Sequence, residues 1–195
     1  MNLSHLPRAD LVRELLSPPI RNVTEHAPHV GDNELIFQGA GTEAENVVLT
    51  RRLGVARELL LRDLHAQMCT GPVMPSPQAL RQWLVLHCAN LNHEVFMVVY
   101  LTVQNQLIDV EEMFRGTLTQ TSVYPRELVR GALARNAAAV VIAHNHPSGS
   151  TDPSRADEAL TQTLKSALAL VDVRVLDHVI VAGEKTLSFA ERGLL

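Results

Sequence analysis

The sequence predicts a layered α/β or α+β domain over residues 73–195, behind a short, partly helical region of residues 1–72. Two observations carry this. The apolar segments after residue 73 alternate between short β-branched runs and amphipathic stretches, in the order β-β-α-β-α-β-β. Apolar residues make up 46% of the 195 and charged ones only 19%, enough to build a real core and too little charge for a disordered chain.

Residues 17–46, from SPPIRNVTEHAPH through QGAGTEAEN, carry turn chemistry and little periodicity and read as loop. Leu53, Ala56, Leu60 and Leu64 follow helical spacing within RRLGVARELLLRDLHAQM. TGPVMPSP reads as a linker ending in an N-cap serine, Ser76, with Pro77 at the first helical position. The helix it opens, to about Cys88, sets Leu80, Trp83, Leu84 and Cys88 on one side. VFMVVYLTV and QLIDVEEMF are β-branched and aromatic, and the intervening QNQ makes them an antiparallel hairpin. Pro125 opens a helix through about Arg135, with Asn136 as its C-cap. AAAVVIA reads as a buried strand, Ser154 opens a helix to about Leu170, and VRVLDHVIVAG and TLSFAE close the domain as two strands.

The charge balance is 17 Lys and Arg against 21 Asp and Glu, a net −4. It divides evenly, −2 on each side of residue 72, so no basic domain hides in the average, and phosphate gripping is disfavoured as the main task. Two isolated cysteines, Cys69 and Cys88, exclude a disulfide framework and a cysteine-rich zinc site, and read as small buried or half-buried apolar residues. The start of the chain has no basic region followed by an apolar one, and the longest apolar runs, Val95–Leu101 and Ala137–Ala143, are seven residues each. Spanning a bilayer takes about 18 or more. A cytoplasmic protein without membrane contact is the expectation.

The informative segment follows the AAAVVIA strand: His144-Asn145-His146-Pro147-Ser148-Gly149-Ser150-Thr151-Asp152-Pro153-Ser154-Arg155-Ala156-Asp157. Its spacing is H-x-H-x₇-S-x₂-D. Two imidazoles at i and i+2 can converge on one ion, and a Pro/Gly turn then returns the chain to a helix start. Asp157 falls in the first helical turn, where the dipole favours a carboxylate with or without a metal. Two imidazoles and one carboxylate give three ligands and leave a tetrahedral zinc ion one open position, the ligand count of a catalytic site. The chain has no H-E-x-x-H, and no P-C-x-x-C to accompany a deaminase motif.

H-x-H-x₇-S-x₂-D is the motif of the JAMM (MPN+) metalloprotease domain. The text around it, from about Ser76 to Leu195, resembles the bacterial RadC family of that superfamily. The resemblance implies a JAMM/MPN-type α/β/α sandwich, similar to the cytidine-deaminase layout, around a mixed, partly antiparallel sheet. It implies zinc held by His144, His146 and Asp157, with Ser154 as the motif serine. It also implies a catalytic glutamate at the start of the first strand, which Glu94 matches in NHEVFMVVYL. Glu111 and Glu112 on the next strand are competitors, and their adjacency lets only one face a site. Glu94 is favoured by its motif context.

The chemistry that follows is hydrolysis of a peptide or isopeptide bond in a protein substrate, with a zinc-activated water, Glu94 as general base, and Ser154 donating to the developing oxyanion. Ser154 also serves as the helix cap. His178, in LDHVIV, reads as a satisfied strand histidine that could sit near the site. His87 and His93 have no ligand spacing to anything. The family's alternative role is that of a DNA-repair accessory protein, in which the metal site is not used for proteolysis. Its N-terminal helix-hairpin-helix region survives in residues 1–72 only as a divergent remnant, without the glycine pair whose amides meet a phosphate. Arg51, Arg52, Arg57 and Arg62 could line a basic stripe, but Glu58 and Asp63 interrupt it.

Overall fold

The computed structural model describes residues 3–18, 43–73, 77–89, 91–116 and 123–195. It divides into two compact units, residues 1–63 and 64–195. The first contains a 3₁₀ turn, Leu3–His5, the helix α1, Arg8–Leu16, and the first part of a long helix, α2, Glu43–Thr70. Leu11, Val55 and Leu59 are buried there, with Leu3, Leu6 and Leu15 packed around them. Arg62 donates to the carbonyls of Leu6 at 2.8 Å, Ser4 at 2.9 Å and Leu3 at 3.2 Å, Arg51 pairs with Glu14, and Arg52 donates to the Ser17 carbonyl. Three of the four arginines of the suspected stripe therefore bind this unit's own chain.

Two expectations for this region change. The loop expected over 17–46 falls mostly on residues 19–42, outside the described residues, while 43–46 are already helical. Glu43 and Glu45 stand in the first turn of α2, where carboxylates suit the positive end of the helix dipole. The expected stripe of α2 is met in part: Leu64 is buried and Ala56 half-buried, but Leu53 and Leu60 are exposed, while Val55 and Leu59, one turn apart, face the core.

The second unit is built on a five-stranded sheet in the order β2-β1-β3-β4-β5. The strands are β1, Val95–Leu101; β2, Leu107–Arg115; β3, Ala139–Asn145; β4, Arg174–Ala182; and β5, Lys185–Ser188. Only the β3–β4 pair is parallel; the other three are antiparallel. Central β1 and β3 are buried at every position, which is why both are continuous apolar runs rather than alternating ones. Phe96, Val98, Tyr100, Val140 and Ile142 on one face pack with Leu128 and Ala132 of α4, Pro125–Ala134, and with Leu164 and Leu168 of α5, Arg155–Ala169. A third helix, α3, Gln78–Cys88, packs against β4 and β5 and buries Leu80, Trp83, Leu84 and Cys88, the side expected. This is a mixed α/β architecture of the kind the sequence predicts.

Four local expectations change. The Ser76 cap lies outside the described residues, and the N-cap position of α3 is Pro77 itself, with no side-chain cap. Arg135, not Asn136, is the C-cap of α4; Asn136 follows it at φ 53°, a left-handed conformation that asparagine tolerates. The last expected strand stops at Ser188, whose hydroxyl accepts the Glu191 N–H at 3.1 Å and caps a short helix, α6, Phe189–Arg192, closed by Gly193 at φ 71°. Cys69 is exposed, 3.6 Å from His65, and only Cys88 is buried.

Candidate metal centre

His144 lies near the end of β3, one strand in from β1, and His146 follows it after the strand ends. The Pro147–Gly149 turn, with Gly149 at φ 84°, leads back to α5. There Ser154 is the N-cap and Asp157 the third helical residue, joined in a capping box. The Ser154 hydroxyl accepts the Asp157 N–H at 3.1 Å, and Asp157 Oδ2 accepts from both the Ser154 N–H and its hydroxyl at 2.7 Å. The carboxylate is thereby turned back over the helix N-terminus toward the histidines.

The three groups converge. His144 Nε2 is 2.9 Å from His146 Nε2 and 3.4 Å from Asp157 Oδ1, and His146 Nε2 is 3.7 Å from Asp157 Oδ2. Ligands bonded tetrahedrally to zinc at 2.0–2.1 Å stand about 3.3 Å apart, a value these separations bracket. His146 Nδ1 is 2.8 Å from the Ser150 carbonyl, which can only accept, so Nδ1 carries a proton and Nε2 is the nitrogen turned toward the site. The donor set fits a zinc-sized cation. Burial pushes the His144 imidazole down to about 4 against the pull of Asp157, so it is neutral, the form a metal needs. Asp157 is held below the usual carboxylate range: burial would raise it, but Ser154 and the two histidines outweigh that.

A second layer holds these ligands. His178 on β4 is fully buried, with its Nε2 2.8 Å from His144 Nδ1 and its Nδ1 2.6 Å from the Thr161 hydroxyl. The sequence left His178 as a satisfied strand histidine; what hid its placement is the β3–β4 register, which sets Ile142 beside His178 and brings the imidazole under His144. Thr161 was not singled out, because a threonine inside a helix carries no motif.

The antiparallel register of β1 and β3 pairs Phe96 with His144. Buried Asn145 clamps the backbone on either side of Glu94: its Oδ1 accepts the Val95 N–H at 2.7 Å and its Nδ2 donates to the His93 carbonyl at 3.0 Å. The Glu94 carbonyl accepts the Gly116 N–H at 2.8 Å. The two competitors lie elsewhere. Glu111 stands opposite Val98 on edge strand β2, bonded to the Tyr100 hydroxyl at 2.9 Å and paired with Arg135 at 3.2 Å. Glu112 binds His87 at 2.8 Å and Arg115 at 2.9 Å.

The fold and site thus define an α/β domain with a His-x-His pair at the end of a central strand and an aspartate on the following helix, a group that could hold a metal ion. The model of the RadC-like JAB domain matches residues 74–194, and the chain belongs to that family. It is 52% identical over 193 residues to a UPF0758 protein of Acidovorax sp. (strain JS42), covering 95% of this chain and 81% of the relative. A UPF0758 protein of Verminephrobacter eiseniae is 51% identical over 195 residues, with 95% of this chain and 81% of the relative covered. One from Dechloromonas aromatica is 61% identical over 145 residues, 74% of this chain and 64% of that one. No helix among the described residues is long and apolar enough to cross a membrane.

Proposed function

We propose that the protein is a zinc-dependent hydrolase of the JAMM type, cleaving a peptide or isopeptide bond in a protein substrate. The observation that carries this is the convergence of His144 Nε2, His146 Nε2 and the Asp157 carboxylate within 2.9–3.7 Å, in a chain of the RadC-like JAB family. Two imidazoles and a carboxylate suit zinc better than magnesium or calcium, which take oxygen ligands. When bound, zinc supplies a Lewis acid that acidifies water toward neutrality and polarises a carbonyl.

This chain's residues do the rest. His144, His146 and Asp157 would hold the ion. Glu94, half-buried just before β1, takes the proton of the attacking water and delivers it to the leaving amine. Ser154 keeps Asp157 oriented, and its exposed hydroxyl swings to the developing oxyanion during turnover. A DNA-accessory role is the weaker alternative, because Arg51, Arg52 and Arg62 bind their own unit and the net charge is −4. Salt-dependent binding to duplex DNA would reveal it.

The test is cleavage of a panel of fluorogenic peptide amides by the zinc-loaded full chain and by Glu94→Gln with its zinc content verified. The expected result is zinc-dependent cleavage in the wild type and a loss of about 10²–10⁴-fold in the variant at equal metal content. A Glu94→Gln chain as active as the wild type would overturn the assignment.

A further inference from the structure

We propose that Thr161 and His178 are positioning residues that fix which nitrogen of His144 carries its proton, and so prepare that imidazole to receive a metal ion. The hydrogen bonds leave only one way to distribute the protons. Thr161 Oγ1 is 2.6 Å from the backbone carbonyl of Asp157, one turn back on α5. A carbonyl has no proton to give, so the threonine hydroxyl donates there. That hydroxyl has a single proton, so its 2.6 Å contact with His178 Nδ1 runs the other way, with the imidazole N–H donating.

His178 has 0% exposure, sits edge-on to Phe96 at 6.1 Å and packs on Phe189 at 4.5 Å. An imidazolium enclosed by two aromatic rings, its nitrogens on a hydroxyl and an imidazole rather than a carboxylate, would be a costly unpaired charge, so His178 is neutral and its Nε2 is bare. The 2.8 Å contact between that Nε2 and His144 Nδ1 therefore needs the proton of His144, on Nδ1. The Nε2 of His144 is left with a lone pair facing His146 Nε2, 2.9 Å away.

The circuit starts at the backbone carbonyl of Asp157 and ends beside its carboxylate, so the same turn of α5 supplies one ligand and sets the tautomer of another. With His146 Nδ1 held by the Ser150 carbonyl, both imidazoles turn Nε2 toward the site. Removing the Thr161 hydroxyl leaves the His178 Nδ1–H without an acceptor. The imidazole then gains by moving that proton to Nε2, pointing it at His144 Nδ1 and forcing the His144 proton onto the ligating nitrogen. The consequence for metal rests on the zinc assignment; the proton order does not.

Two measurements separate them. In the metal-free wild type, at a pH above the histidine range, long-range ¹⁵N–¹H correlation should find His178 as the Nδ1–H tautomer. His178 carrying its proton on Nε2 would overturn the proposal, whatever the protein binds. Competition of Zn²⁺ against a chromophoric chelator should show Thr161→Val weakened about 10–100-fold. Thr161→Ser should restore the affinity, and the metal-free melting temperature of Thr161→Val should confirm that it folds. A folded Thr161→Val chain with wild-type zinc affinity refutes the relay. A wild type that takes up no zinc refutes the hydrolase assignment instead and leaves the tautomer to decide this one.

Discussion

Asn145 stands between two metal-ligand candidates yet points away from them, and its replacement tests how the strand carrying Glu94 is held. The side chain is 3% exposed and satisfies two backbone groups of another segment, the Val95 N–H and the His93 carbonyl. In Asn145→Ala both bonds go, at a net cost of about 1 kcal/mol each, and the N–H of fully buried Val95 is left with no acceptor, which adds about 1–3 kcal/mol. With partial relaxation of the backbone the sum is about 2–4 kcal/mol, equivalent to about 5–12 °C in melting temperature for a chain of this size. The assay is urea unfolding followed by Trp83 fluorescence. That is the single tryptophan of the chain; it lies on α3 in the second unit, stacked on His87 with centroids 4.6 Å apart, so its signal reports the sheet-bearing unit. The midpoint should fall with an unchanged slope. A loss below about 0.5 kcal/mol, the range of an ordinary surface substitution, would refute the clamp.

Further expectations concern other parts of the second unit. Glu112 is held down to about 2, chiefly by its hydrogen bond to His87 and then by Arg115, against the opposing effect of burial. A carboxylate with a depressed folded-state pKa contributes stability above its unfolded value of about 4.3, and that contribution is lost as pH falls toward 2. Glu112→Gln should flatten the acid limb of the stability profile by about 1 kcal/mol after solvent screening, and an unchanged limb would contradict this. Gly131 lies where a Cβ would come 2.3 Å from the Tyr100 hydroxyl oxygen. Glycine to alanine in a helix normally gains about 1 kcal/mol, but here overpacking of about 1–3 kcal/mol should win, so Gly131→Ala should lower the melting temperature. Adding Tyr100→Phe should recover part of the loss.

What the sequence made readable followed from patterns with one physical source. Buried strands such as β1 and β3 declare themselves as continuous apolar runs, and Pro125 and Ser154 mark helix starts because each satisfies or avoids an orphaned N–H. The His144–Asp157 pattern was readable because all three groups lie within one strand-turn-helix passage. Other features depend on partners distant in sequence: His178 reaches His144 only through the register of β3 with β4. The pattern S-F-A-E at Ser188–Glu191 carried a cap signal that a β-rich neighbourhood masked. In α2, helical spacing found buried Leu64 but also marked Leu53 and Leu60, which are tolerated in solvent, whereas burial selects Val55 and Leu59.

The claim on which the rest depends is that His144, His146 and Asp157 hold one metal ion. Metal content by mass spectrometry on the purified full chain, together with zinc titration after chelator treatment, measures it most directly. The wild type should take up one zinc per chain and gain thermal stability as free zinc rises, by about 2.7 kcal/mol at a hundredfold excess over its dissociation constant. His144→Ala and Asp157→Asn should each abolish both the uptake and the stabilisation. Equal zinc in the wild type and in His144→Ala would contradict the account.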